Sequence, residues 1–242
     1  MSRSMSTRRA LAIFRKELRE YRRNGNIAFG MAIMPFIFLI QPLIQVFALP
    51  SSASATIRHE DSLLYLLAVP AIVPALVAAY AVVGEREQGT LEPVLTTPVS
   101  REEFLLGKGL ASLVPSVAVA YVVYAVFLAC VGLFADPAVA SALLRWPEIL
   151  AQMLFTPLIA AWSIWIGLAI SARSRDIRVA QQLGVLACLP TVAVTSLVAF
   201  NVIRPSFGLA LAAAVLLLAL DAAGWRVVSA MFNRERLIAS SR

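Results

Sequence analysis

The chain has 242 residues, 60% of them hydrophobic and only 14% charged, with 21 Lys and Arg against 14 Asp and Glu. With a mean hydropathy of +0.81 this lies far outside globular composition and implies a membrane protein. A pI near 10.1 would suit nucleic acid, but the basic residues fall where membrane topology and anionic headgroups place them, so a nucleic-acid partner is excluded.

The elements follow in chain order. Residues 1–26 are polar and carry eight bases. Within them, 8–23 set Leu11, Phe14, Leu18 and Tyr21 at helical spacing on one face, which predicts a cytoplasmic amphipathic helix lying on the inner leaflet. Asn24-Gly25-Asn26 ends that helix and lets the chain turn into the bilayer. A charged segment of this kind ahead of so long an apolar run is not expected to be a cleavable leader.

Six apolar runs follow, at 27–49, 63–83, 110–133, 149–170, 183–200 and 207–225, free of charged residues and His except for Asp221 in the last. Each is long enough to cross roughly 30 Å of hydrocarbon, which takes about 20 helical residues. Lipid offers no partner to backbone N–H and C=O groups and the runs lack the alternation of barrel strands, so the expected fold class is all-α, polytopic, with six transmembrane helices in a single domain. Eighteen of the 21 Lys and Arg lie in the amino-terminal segment, the second–third and fourth–fifth loops and the tail at 226–242. Arg58, Arg145 and Arg204 are the three on the other side, which predicts that both termini lie in the cytoplasm of a cell whose inner membrane holds the protein. The loops on the outer side are short and the tail is short, so no ATPase domain is expected within the chain. Cys130 and Cys188 fall inside predicted spans and read as small apolar side chains.

The segment at 84–109 is dense with acids where topology favours only bases. Thr90 can cap a short helix to about Thr97, Pro98 ends it, and Ser100 with Glu103 forms a capping box that starts a second helix leading into the third span. Its order of residues is Glu85, Glu87, Gly89-Thr90-Leu91-Glu92, two apolar positions, Thr97-Pro98, a small residue, Arg101, Glu103 and Gly107-Lys108. This pattern resembles the permease (transmembrane) subunits of type-2 ABC transporters, the ABC exporter family. The amino-terminal helix, the six spans and Arg234-Glu235-Arg236-Leu237 in the tail extend the resemblance more loosely. The resemblance implies a cytoplasmic coupling helix between the second and third spans that docks on a separate ATPase subunit. It makes Glu85, Glu87, Gly89, Thr90, Leu91, Glu92, Pro98, Arg101 and Glu103 the ATPase-coupling interface and its supports. It further implies two permease subunits, as homo- or heterodimer, with two copies of the ATPase, ATP and Mg being bound by that partner and no cofactor by this chain.

The residue inventory speaks against catalysis here. Gly107-Lys108 is not a phosphate-binding loop, because Glu102 stands where that motif needs Gly and Gly109 where it needs Ser or Thr. A zinc site needs more than the single His59, which sits beside Glu60 and Asp61 in a loop, and a Ser–His hydrolase would have to use the same residue. No metal or catalytic residue is therefore expected. Gln41 and Gln45 share a face of the first span and need partners in lipid, either along a translocation path or across a helix interface. Asp221, about four residues from the end of its run, reads as snorkelling or pairing near Arg226. An ion-coupling role for it belongs to the alternative reading, a proton- or ion-gradient-driven secondary transporter. Prolines at 35, 42, 70, 74, 115, 157 and 190 are expected to kink several spans. Substrate is not legible, with a slight lean toward hydrophobic or amphiphilic cargo from the apolar walls.

Overall fold

The structure is a computed structural model that describes residues 6–48, 62–89 and 100–232. Among these residues it is entirely helical. Helix α1 covers Thr7–Arg23, and α2 (Gly25–Ala32) and α3 (Met34–Ala48) form the first span. A 3-10 turn at Ser62–Leu67 leads into α4 (Ala68–Glu87), the second span. Then come α5 (Arg101–Phe134), the short α6 (Pro137–Leu143), α7 (Trp146–Arg173), α8 (Ile177–Ala199) and α9 (Phe207–Met231). Six segments are long and apolar enough to cross a bilayer, at Ile27–Phe47, Leu64–Glu87, Arg101–Phe134, Trp146–Arg173, Ile177–Ala199 and Phe207–Met231.

Local chemistry sets the helix ends. Ser100 Oγ accepts from Glu103 N at 3.2 Å while the Glu103 carboxylate accepts from Ser100 N at 2.9 Å, so the capping box is present in both directions. Asp176 and Ser206 cap the fifth and sixth spans by accepting from Val179 N and Leu209 N. The prolines act more selectively than expected. Pro35 lacks the N–H that would bond back into the preceding turn, and the helix breaks at Ile33 between α2 and α3. Pro42, Pro74, Pro115, Pro157 and Pro190 lie inside helices that continue past them. In lipid a continuous helix with one missing bond is cheaper than a frayed one.

The second span is the axis of the bundle, with 83% of its most apolar window buried, whereas no residue of the corresponding window of the sixth is. Composition explains the difference. The second span presents Ala71, Ala75, Ala78, Ala79 and Ala81, all at most 2% exposed, and alanines let neighbouring backbones approach. Its most extensive contact is with the fourth span. There Gly167 lies so close that a Cβ would stand 2.7 Å from Ala75 O and 2.8 Å from Ala78 Cβ. The outward faces carry Phe36, Ile40, Leu154, Leu186 and Leu211, as befits side chains meeting hydrocarbon rather than water.

Candidate functional site at the base of the second span

The end of the bundle that carries α1 holds a concentration of charge that the rest of the described residues lack. Helix α1 lies along the start of α5, where Gly107 admits it: a Cβ there would meet Ile13 Cβ at 2.7 Å and Ala10 O at 3.0 Å. Phe14 and Tyr21 pack with Ile27, Met31, Val77 and Ala111. The Tyr21 hydroxyl is 3.2 Å from Ser112 Oγ. Burial first, then the charge of Glu17, raises the Tyr21 pKa, so the phenol stays neutral. Two of the four residues predicted for a membrane-facing stripe, Phe14 and Tyr21, are thus spent on protein contact, while Leu11 is 46% exposed.

At the centre is Lys108, fully buried in α5. Its Nζ donates to Glu17 Oε1 in α1 at 2.9 Å and to Ala81 O in the second span at 2.7 Å. It also stands 3.1 Å from Glu85 Oε1 and 5.0 Å from the centre of the Phe104 ring. Lys16 closes the cluster from the exposed side, 2.7 Å from Glu85, 3.2 Å from Glu20 and 3.6 Å from Glu17. The Glu17, Glu20 and Glu85 carboxylates converge within 4.8 Å of one another, a spacing that could hold a metal ion. Here the two ammonium groups supply the cation. Burial lowers the Lys16 pKa, but the hydrogen bond to Glu85 and the charges of Glu85 and Glu17 outweigh it and leave it raised. A raised lysine pKa contributes fully below the ordinary lysine range and fades only as pH climbs above it, so Lys16 holds the cluster at neutral pH.

A second set of bonds surrounds the first. Glu103, with a fully buried side chain, takes Arg9 Nη2 at 2.8 Å and Arg9 Nε at 3.0 Å, and also accepts from Ser6 N. Ser171 Oγ of the fourth span accepts from Val82 N at 3.0 Å and Val83 N at 3.1 Å, entering the backbone of the second span one turn from Glu85. The Arg86 guanidinium donates to Ser174 O and Ala172 O. Glu87 Oε1 accepts from Ile177 N, the first N–H of the fifth span, at 3.0 Å. Tyr80 OH takes Asn24 Nδ2 and Gln88 Nε2. Residues 80–88 are therefore bonded to α1, to the third and fourth spans and to the start of the fifth. Replacing Glu103 with Gln is expected to cost about 2 kcal/mol, the worth of charge-assisted bonds made to a buried carboxylate. Limited proteolysis should then cut within α1 at protease levels that spare the native protein, and unchanged cutting would sink the assignment.

The sequence-derived positions divide into four groups. Glu85 and Glu103 are buried and ion-paired within the chain, whereas Glu87, Gly89 and Arg101 are exposed beside them. Thr90, Leu91, Glu92 and Pro98 lie outside the described residues, as does His59. Gln41, Gln45 and Asp221 are half-buried elsewhere in the bundle, Gln41 Oε1 and Asp221 Oδ1 each without a hydrogen-bond partner among the described residues. The expected proximity of Asp221 to Arg226 yields no ion pair between them. Sequence reasoning missed Glu17 and Ser171, and read Lys108 only as the end of the loop pattern. The available signal was a lone base immediately before a long apolar run, together with acids inside an otherwise basic helix.

An all-helical bundle of six spans, with a further helix clamped by ion pairs to one end of it, defines a polytopic integral membrane protein. The family model described as ABC-2 family transporter protein matches residues 11–213, and the chain belongs to that family. It is accordingly a type-2 ABC transporter permease, the membrane component of a transporter that associates with an ABC ATPase subunit. No curated protein gives a significant match.

Proposed function

We propose that this chain is the permease of an ATP-driven exporter of the inner membrane, working as a twelve-span homo- or heterodimer with two ATPase subunits, both termini being cytoplasmic. The coupling interface comprises Glu87, Gly89, Thr90, Leu91, Glu92, Pro98 and Arg101, with Glu85 and Glu103 as its internal supports. ATP and Mg belong to the partner, and the chain itself is non-catalytic. One observation carries this reading. The segment between the second and third spans is anchored on both flanks, by Glu85–Glu87 on one and Glu103–Lys108 on the other, to α1 and to the starts or ends of four spans. A push on it during ATPase closure is thereby shared by several spans at once instead of being absorbed by a loop.

Gly89 offers a direct test. Its φ of +67° lies in the left-handed region that L side chains rarely adopt, while nothing stands within 4 Å of a Cβ there. Gly89→Val and Glu92→Lys are therefore expected to insert normally and abolish transport. Tagging the carboxyl end and purifying from native membranes should bring down a stoichiometric ABC-type ATPase with wild type and not with Glu92→Lys. Normal transport by both variants removes the coupling assignment.

A further inference from the structure

Between the second, fourth, fifth and sixth spans runs a cleft of about 420 Å³ with no charged side chain among the described residues of its walls. Leu67, Phe155, Trp162 and Val194 line it, and along the sixth span it extends from Ser206 to Leu220. Fourteen helical residues cover roughly 21 Å, about two-thirds of the hydrocarbon thickness. Spread over that length, the cleft is a slot along the sixth span rather than a chamber. Two of its hydroxyls already serve their own helices: Thr195 Oγ1 donates to Val192 O, and Ser206 Oγ accepts from Leu209 N.

In a six-span protein this slot is bathed by hydrocarbon, not water, and left empty it would forfeit contacts along its whole wall. Val194 and Leu216, both wall residues more than half exposed, show that it opens sideways. At its Ser206 end, Arg204 stands exposed, one residue before the wall residue Pro205. The turn at 201–206 contains no acid to neutralise that charge, and Arg204 is one of only three bases on its side of the sequence. A long apolar slot with a cation at its mouth matches a lipid that has an acyl chain and an anionic head.

We propose that the cleft binds one acyl chain of an anionic phospholipid of the surrounding bilayer, whose net negative charge is held at Arg204. This goes beyond the exporter reading and does not depend on it. The test uses the full chain in phosphatidylcholine vesicles doped with either phosphatidylglycerol or phosphatidylcholine bearing a diazirine in mid-chain, with adducts mapped by mass spectrometry. Adducts are expected to gather on Thr195 and Leu217, and more with the glycerol probe. Ala213→Trp, which fills the slot, should lower them to the level seen on outward residues such as Phe36. Arg204→Ala should lower the glycerol-probe signal roughly fivefold and leave the choline probe unchanged, the worth of one base near an anionic surface. Three results would each overturn the proposal. One is adducts spread evenly over outward residues such as Phe36 and Leu211. Another is equal labelling of wild type by the two probes. The third is efficient disulfide formation between copies of Leu216→Cys, which would put a second chain in the cleft. Should Ala213→Trp fail to accumulate, the Arg204→Ala comparison, made outside the spans, decides alone.

Discussion

Replacing Lys108 with Met is expected to destabilise the protein by about 3–5 kcal/mol, because it leaves buried carboxylates without their cation. Glu17 and Glu85 are 2% and 5% exposed, and Lys108 is fully buried between them. Lys16 reaches Glu85 at 2.7 Å but Glu17 only at 3.6 Å, so it cannot take over both partnerships. Lys108→Arg should fare little better, since a planar fork does not fit where one ammonium bonds Glu17, Ala81 O and Glu85 beside the Phe104 ring. The measurement is the thermal midpoint in mild detergent, or the level of mature protein in the membrane if the variant does not survive extraction. Adding Glu17→Gln and Glu85→Gln to Lys108→Met should recover much of the loss, because a neutral cluster carries no uncompensated charge. A single variant that melts with wild type, or a triple variant no better than the single, would falsify the view that α1 is held by this cluster.

Gly167→Leu is the second large effect, expected to cost about 3 kcal/mol or to prevent accumulation altogether, at the upper end of overpacking penalties. The obstacle is the carbonyl of Ala75 at 2.7 Å from the new Cβ, a backbone atom that can yield only if the second and fourth spans separate. The control is Gly132→Leu, where nothing stands within 4 Å. Both add the same side chain to a membrane helix, so a difference in stability between them measures the packing term alone. Equal behaviour of the two variants would show that this contact does not set the spacing of the spans.

The resemblance in the loop at 84–109 placed the chain in its family, and the match over 11–213 agrees with it. Its detailed roles were less legible. Glu85, Glu87 and Glu103 read along the chain as one acidic stretch open to a partner. In the fold, Glu85 and Glu103 turn inward to lysines and an arginine, while Glu87 is exposed yet caps the fifth span. A sequence shows that a carboxylate is near a membrane surface but not which way its helix is rotated, and a rotation of about 100° per residue decides between a docking face and an internal ion pair.

What the sequence determined by itself is whatever depends on the chain and its solvent alone. Six runs long enough to cross hydrocarbon must be helices, because lipid satisfies no backbone group. The Ser100–Glu103 capping box forms because its partners are three residues apart. The packing of α1 onto the bundle, the burial of Lys108 and the close approach at Gly167 were decided only by the tertiary structure. The Lys108–Glu17 bond joins residues 91 positions apart, and such a pair is chosen by which helices pack. In lipid that choice rests on small residues and on polar groups that must be matched, since apolar surfaces are equally content against lipid or protein.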